Sequence, residues 1–251
     1  MTSDAAATEK IPVICISKSG WESAKVFNPN LWEPRSKGII QSCWAELTVL
    51  RHCVGEICEL CRDSEKLCAP QIEGLRVQWA TAKFDLARAA FFVEQPSLHL
   101  RIEAFFAGVK SLLDLLVQLL SRERIVGSGI HGFHKAGDVY GGTVLNALHR
   151  NARRDQKALA ENFRALLLNH KKAWIDEVIA GRDYLVHPQG GLSQLMFHLE
   201  CVEKDGTFLC SKVQPPSVNS IPIDQYAKTI LGQATAFAEA FVGLFGRASL
   251  K

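Results

Sequence analysis

Arg182, Asp183 and His187 are the residues best suited to chemistry, because they place a permanent cation, a carboxylate and an imidazole within one and a half helical turns. In a helix Asp183 and His187 are i, i+4 neighbours, so the carboxylate can orient one imidazole nitrogen and direct the other toward a substrate. These groups suit metal-free cleavage of a phosphodiester. His187 would act as general base or acid at the ribose 2′-hydroxyl or the leaving oxygen, and Arg182 would stabilise the negative charge of the phosphorane.

Such a reaction needs two proton transfers, which one imidazole does not easily carry out alone. This favours a site that combines two copies of the motif. Pro188 disfavours helical geometry for the residue before it, so we expect His187 in the last half-turn of the helix. Simpler roles stay open: His187 could cap the C-terminus of the helix, and Asp183 could be a solvated helix residue.

Arg182 also stands out by its setting, because it falls in the middle of an apolar helical stripe. The stripe consists of Ile175, Val178, Ile179, Leu185 and Val186. Burying an unpaired guanidinium is costly, so Arg182 needs an anionic partner. The sequence offers two kinds of partner: an inward carboxylate such as Glu103 or Asp114, which would make a structural bridge, or a substrate phosphate.

The region 149–172 is strongly basic, with seven Lys or Arg residues against two acidic residues, although the whole chain has a net charge of only +3. Charge runs are usually solvated faces. The position of this one directly before the Arg182 helix favours a track for a phosphate backbone. The residues predicted to bind substrate are Arg150, Arg153, Arg154, Lys157, Lys171 and Lys172.

Hydrophobic periodicity predicts a mainly α protein. Residues 1–38 read as an irregular N-terminal arm and residues 39–251 as a single helical domain. The predicted helices cover residues 39–64, 74–94, 97–122, with Ser97 as N-cap after Pro96, and 224–246. Alternating apolar residues on both sides of an Asp-Gly pair predict a β-hairpin at about 192–213, inserted before the C-terminal helix.

Composition is that of a soluble globular protein, with 47% hydrophobic and 22% charged residues. The first sixteen residues lack the pattern of a secretory signal. The most apolar segment, residues 102–120, is crossed by one polar stripe, which is typical of an amphipathic core helix rather than a membrane span. The stripe consists of Glu103, Lys110, Asp114 and Gln118. We expect a cytoplasmic protein that does not bind a membrane.

Eight cysteines without a signal peptide indicate a reducing compartment and free thiols. Five of them lie in one predicted helical segment: Cys43, Cys53, Cys58, Cys61 and Cys68. The Cys58-x-x-Cys61 spacing raises the question of zinc, but no second pair of ligands completes a set nearby. We therefore expect buried thiols in the core, no metal and no cofactor.

A glycine-rich segment, residues 127–137, follows the third predicted helix and continues to another glycine pair at 141–142. It lacks the Gly-Lys-Ser/Thr ending of a P-loop. A flexible surface loop is the simplest interpretation. Because backbone amides of such loops can hold phosphate, contact of His131, His134 or Lys135 with substrate stays open.

Taken together, Arg182, Asp183 and His187 near the end of a helix in an all-helical bundle resemble the HEPN superfamily (higher eukaryote and prokaryote nucleotide-binding). The resemblance follows the helix order over roughly residues 75–250. It implies a metal-independent endoribonuclease, often a toxin or antiviral effector, whose two motifs form one composite site in a homodimer. It further implies that Arg182 is the phosphate-stabilising cation, Asp183 the polar motif residue and His187 the catalytic imidazole.

The prediction is thus a HEPN-like helical bundle with a β-hairpin insertion, acting on RNA as a homodimer, with a cognate antitoxin protein as a further candidate partner. The alternative is a non-catalytic HEPN-like module that serves as antitoxin partner, regulator or nucleotide sensor. A third class, a small-molecule or thiol enzyme that uses the cysteine-rich helix, has little support in the sequence.

Overall fold

The computed structural model describes residues 34–82, 88–127, 129–186, 195–204 and 207–248. These residues form a mainly helical structure, as the sequence predicts. The helices are α1 (Pro34–Arg62), α2 (Ser64–Ala82), α3 (Pro96–Arg122), α4 (Gly142–Arg150), α5 (Lys157–His170), α6 (Asp176–Val186) and α7 (Ile223–Ala248). A 3-10 turn (Arg154–Gln156) precedes α5, and a π turn (Lys171–Ile175) joins α5 to α6. The strands are β1 (Arg88–Val93), β2 (Phe197–Lys204), β3 (Thr207–Gln214), β4 (Ser217–Val218) and β5 (Ile221–Pro222).

The core is built around α3, because apolar side chains recur along it at helical spacing. Its buried residues include Ile102, Phe105, Val109, Leu112, Leu116 and Leu120. α3 packs most extensively against α1 and also against α6 and α7. By length and mean hydropathy alone α3 would suit a membrane span. Most of its apolar side chains are nevertheless covered by the other helices of the protein.

The start of α3 differs in detail from the prediction, because Ser97 is not its N-cap. Gln95 takes that position and Pro96 is the first helical residue, where its fixed φ suits a helix. The side-chain amide of Gln95 donates a hydrogen bond to the carbonyl oxygen of Leu67 at 3.0 Å. This bond ties the start of α3 to α2.

The predicted helix over residues 74–94 is confirmed for residues 74–82 and wrong for residues 88–93, which form a strand. α2 starts earlier, at Ser64, and β1 follows it and pairs antiparallel with β2. Val93 lies opposite Phe197 in this ladder, and both side chains are buried. Pairing with a strand from a distant part of the chain therefore overrides the local pattern, as is common for strand residues.

The predicted hairpin is confirmed, since β2 and β3 pair antiparallel in a sheet of order β1-β2-β3. Its turn at Asp205-Gly206 and the residues 187–194 before it lie outside the described residues. α1 begins at Pro34, within the segment predicted as an arm, while residues 1–33 also lie outside the described part. The C-terminal helix is confirmed as α7.

Candidate functional site

α6 carries Arg182 and Asp183 at the edge of a buried helical face. Ile175, Val178 and Ile179 are buried, as the predicted stripe requires. The side chain of Arg182 is 35% exposed and that of Asp183 is 27% exposed. An arginine can bury its alkyl stem and bring its charged head to the surface. Arg182 thus lies at the rim of the core and not in its middle.

Asp183 is the centre of a group of polar side chains from two parts of the chain. One carboxylate oxygen, Oδ1, lies 3.3 Å from Nη1 of Arg182. The other, Oδ2, accepts a hydrogen bond from the hydroxyl of Tyr140 at 3.3 Å and lies 3.3 Å from Nζ of Lys135. These four residues, Lys135, Tyr140, Arg182 and Asp183, are named the Asp183 cluster below.

Lys135 and Tyr140 also contact each other. The ammonium nitrogen of Lys135 lies 4.2 Å from the centroid of the Tyr140 ring, a cation–π arrangement. Hydrogen bonding to Tyr140 is the main cause that raises the pKa of Lys135 above its usual value, and Asp183 adds to the rise. Lys135 is therefore a cation throughout the neutral range. With Arg182, the cluster has two positive charges and one negative charge, a net charge of +1.

Neither inward carboxylate expected as a partner of Arg182 pairs with it. Glu103 lies 3.2 Å from Nε2 of His99, and Asp114 lies 2.5 Å from Nζ of Lys110. The Nε atom of Arg182 is buried and has no acceptor among the described residues. A buried donor without a partner costs about 1–3 kcal/mol. Contacts within the described chain thus satisfy the guanidinium only in part.

The polar stripe of α3 anchors the glycine-rich loop that leads to Lys135 and Tyr140. Oδ1 of Asp114 accepts a hydrogen bond from the backbone N–H of Phe133 at 2.6 Å. The side chain of Gln118 donates to the carbonyl oxygen of His131 at 3.1 Å. The polar residues that make α3 amphipathic therefore hold the loop in place.

The ring of Phe133 fixes the far end of the loop, where Gly141 leaves space for it. Gly141 has φ +64°, in the left-handed region that favours glycine. A Cβ atom at this position would lie 2.2 Å from Cζ of the buried Phe133 ring. The loop, expected to be a flexible surface segment, is thus held by contacts near both of its ends.

The histidines considered as candidates differ in position. His131 and His134 are exposed. In residues 129–186, no hydrogen bond or ion pair joins either of them to the Asp183 cluster. His187 lies outside the described residues and follows the last residue of α6 in the sequence.

Tyr140 is a member of the cluster that the sequence did not suggest. Its contact with Asp183 spans 43 positions. The only local signal is its place at the end of the glycine-rich segment, directly before Gly141. A contact of this kind depends on how the loop folds back on α3, which no local pattern reports.

The residues predicted to bind phosphate divide into two groups. The first group surrounds the 3-10 turn before α5 and consists of exposed residues: Arg150, Arg153, Arg154 and Lys157. The second group, Lys171 and Lys172, lies in the π turn. The length of α5 separates the groups by roughly 20 Å. The predicted basic track therefore consists of two patches on the surface, and phosphate binding by its residues stays a prediction.

Lys171, which the sequence predicts to bind phosphate, forms an ion pair within the chain. Its side chain is only 16% exposed, and Nζ lies 2.5 Å from Oδ2 of Asp176. Lys172 is exposed. Asp176 belongs to this pair, at the start of α6, and not to the Asp183 cluster.

The cysteines lie mainly in the core. Cys43, Cys53, Cys68 and Cys201 are buried, and Cys58 and Cys61 are partly buried. Burial raises the pKa of Cys43 to about 12 and that of Cys68 to about 11, so these thiols stay protonated at neutral pH. Within the described ranges, no group of three or more His, Cys, Asp or Glu side chains could hold a metal ion.

Comparisons with protein-family models, with curated proteins and with solved structures found no match for this chain. The resemblance to the HEPN superfamily thus stays a hypothesis that rests on the short motif.

Proposed function

We propose that this protein is a metal-independent endoribonuclease of the HEPN kind, which uses the Asp183 cluster together with His187. The observation that carries the proposal is the state of Arg182. Its guanidinium is partly exposed and contacts Asp183 on one side, and its buried Nε has no acceptor in the described part of the chain. The exposed part of the guanidinium therefore keeps hydrogen-bonding capacity for an anionic ligand, whereas the buried Nε is closed to solvent.

The charge of the cluster supports a phosphate as that ligand. Two cations face one carboxylate, so one positive charge is left over for a substrate. An arginine fork can bind two phosphate oxygens at once, while a lysine acts as a point charge. Lys135, whose side chain is 48% exposed, would add the second cation next to Arg182.

In this reaction the ribose 2′-oxygen attacks phosphorus and the bond from phosphorus to the 5′-oxygen breaks. Arg182 would stabilise the charge that develops on the phosphorane. His187 would take the proton of the 2′-hydroxyl or give a proton to the leaving 5′-oxygen. Since one imidazole serves one of these transfers, we propose a homodimer in which two motifs form the composite site.

RNA cleavage in the presence of EDTA tests the proposal, with wild type, Arg182→Ala and His187→Ala as the proteins. We expect wild type to cleave and both variants to lose on the order of 10²-fold or more of the rate while they stay folded. Arg76→Ala is the matched control, because Arg76 is also an arginine paired with a carboxylate, Glu73, but lies on α2. Its rate is expected to equal that of wild type.

Absence of cleavage by wild type, or equal cleavage by all four proteins, rejects the nuclease. RNA binding without cleavage would then support the non-catalytic binding module. Cleavage that EDTA abolishes would instead indicate a metal-dependent reaction. Measurement of the molecular mass in solution tests the composite site separately, because a strict monomer would contradict it.

A further inference from the structure

A second group of arginines surrounds a surface cleft where α3 ends. The cleft has a volume of about 390 Å³. Its polar lining comes from Arg122, Arg124 and Arg153, together with Ser121, Asn151 and Gly127. The three arginines are exposed, and no acidic residue of the described chain lines the cleft. The concave surface is thus strongly positive.

The two walls of this cleft are held together by backbone contacts. Val126 and Ala152 form an isolated antiparallel bridge. The backbone N–H of Arg153 donates to the carbonyl oxygen of Ile125 at 3.3 Å. The side chains of Ile125 and Val126 are buried. The arginines therefore extend from a framework that is already in place, which lowers the entropic cost of binding a ligand.

The charges of the arginines are mostly not neutralised by the protein. In residues 34–82, 88–127, 129–186, 195–204 and 207–248, neither Arg122 nor Arg124 has an ion-pair partner. Arg153 has one, since its Nε lies 3.5 Å from Oδ1 of the exposed Asp155. Like charges that share a concave surface repel one another unless a counter-ion binds between them.

Arg124 has a backbone conformation that does not suit an arginine. It is the second residue after α3 and has φ +59°. Helices commonly end with glycine at this position, because a Cβ atom is disfavoured in the left-handed region. Arginine here costs stability relative to glycine, so the benefit of the residue must come from its side chain. That side chain lines the cleft.

We infer that this arginine cleft is a binding site for the phosphate groups of a nucleic-acid backbone. Guanidinium forks bind phosphate oxygens through paired hydrogen bonds, and the amide of Asn151 can donate to backbone oxygens as well. The cleft shares no residue with the Asp183 cluster. In the sequence, the glycine-rich segment runs from the cleft to Lys135 and Tyr140 of that cluster. The idea that one RNA strand binds to both sites rests on the proposed nuclease function. Phosphate binding in the cleft does not depend on that function.

The test is a titration of a fluorescent oligodeoxythymidylate, monitored by anisotropy at several salt concentrations in EDTA. This probe has no 2′-hydroxyl, so the proposed reaction cannot cleave it. The variants are Arg122→Gln, Arg124→Gly and the double variant. Arg62→Gln is the control, because Arg62 is an exposed arginine at the last residue of α1, as Arg122 is at the last residue of α3.

We expect the double variant to bind roughly tenfold more weakly at low salt, and the slope of log K against log salt to fall by about 0.7 per arginine. Arg124→Gly should also keep or raise the melting temperature, because glycine relieves the left-handed strain. Arg62→Gln should bind as wild type does. If the double variant binds the oligonucleotide with the affinity and salt slope of wild type, the proposal that the cleft binds phosphate is overturned. An equal loss of affinity in Arg62→Gln overturns it as well.

Cleavage of an oligoribonucleotide by these proteins and by Arg182→Ala separates the hypothesis of phosphate binding in the cleft from the nuclease hypothesis. Loss of oligodeoxythymidylate binding in the double variant supports the cleft even if wild type cleaves no RNA, a result that would reject only the nuclease. If the double variant still binds oligodeoxythymidylate as wild type does, phosphate binding in the cleft is rejected. This holds even if wild type cleaves RNA and Arg182→Ala does not.

Discussion

The two ends of α6 each carry an aspartate that contacts a cation, but the two contacts are built differently. At the start, Asp176 pairs at 2.5 Å with Lys171, which comes from the adjoining π turn and is only 16% exposed. At the other end, Asp183 contacts Arg182 and two residues of the glycine-rich loop, each at 3.3 Å. Both cations at this end are considerably more exposed than Lys171.

The difference separates a structural pair from a group that can meet a ligand. Removal of Asp176 would leave a mostly buried ammonium without its partner, which destabilises a protein. Longer and more exposed ion pairs contribute little to stability. Asp183 also faces two cations where Asp176 faces one, so only the Asp183 end keeps a positive charge in excess. The same residue type on one helix thus serves packing at one end and a candidate site at the other.

Gly141→Ala has the largest expected effect, and it acts on the Asp183 end. The new Cβ would lie 2.2 Å from the Phe133 ring, and alanine is strained at φ +64°. Together these effects should cost about 3 kcal/mol and lower the melting temperature by roughly 6–12 °C. Differential scanning calorimetry measures the loss, and hydrogen exchange should report faster exchange of the Phe133 amide.

Gly232→Ala is the matched control for that substitution. Gly232 lies in α7, and a Cβ there meets no atom within 4 Å. Alanine in a helix is favoured over glycine, so this variant should be as stable as wild type or up to about 1 kcal/mol more stable. If Gly141→Ala is as stable as Gly232→Ala, the loop is not anchored as described.

Asp176→Ala comes next, because it leaves Lys171 unpaired in a mostly buried position. Part of the cost is offset, since Oδ1 of Asp176 is buried without a hydrogen-bond partner among the described residues. We expect a loss of about 1–2 kcal/mol and a melting temperature lower by roughly 2–8 °C. A variant as stable as wild type would show that this pair is not a structural one.

A smaller effect should appear with pH, through His170 at the end of α5. Its Nδ1 accepts a hydrogen bond from the indole N–H of Trp174 at 3.0 Å, and burial lowers the pKa of His170 below its usual 6.5. The folded state therefore binds fewer protons than the unfolded state near that pH. The contribution of His170 to stability is fully present above the pKa of His170 in the unfolded state. It is lost as the pH falls through the lower pKa of the folded state.

We expect the melting temperature of wild type to decrease between roughly pH 7.5 and pH 5.5 by less than Asp176→Ala lowers it. His170→Gln should remove the part of this decrease that comes from His170. Parallel pH profiles for wild type and His170→Gln would show that the imidazole does not titrate with folding.

Hydrophobic periodicity was sufficient to predict the long helices. α3 and α7 each repeat a buried face over many turns, and this signal is present in the local sequence. β1 could not be found in this way, because its pairing partner Phe197 lies more than 100 positions after Val93. The short helix α5 lies inside the basic region 149–172, whereas α4 lies almost wholly before that region and was not predicted, since the limits of short helices depend on caps and turns.

The candidate site was predicted only where its residues are neighbours in the chain. Arg182 and Asp183 are adjacent and both belong to the predicted motif, but their mutual contact was not predicted, because neighbouring helix positions point in different directions. The contacts of Lys135 and Tyr140 with Asp183 require the loop to be bound by Asp114 of α3, which is a tertiary event. For the same reason the sequence does not show that the basic residues form two patches, which the length of α5 separates.

The most direct test compares the two ends of α6 in one assay: cleavage of an oligoribonucleotide in EDTA by Asp183→Ala and Asp176→Ala, each normalised to the amount of folded protein. We expect Asp183→Ala to lose on the order of 10²-fold in rate, because Arg182 is no longer held in place, and to lose about 1 kcal/mol or less in stability. Asp176→Ala should be the less stable variant and should cleave at nearly the wild-type rate. Equal rates for the two variants, or a greater loss in Asp176→Ala, would contradict the assignment of the site to the Asp183 cluster.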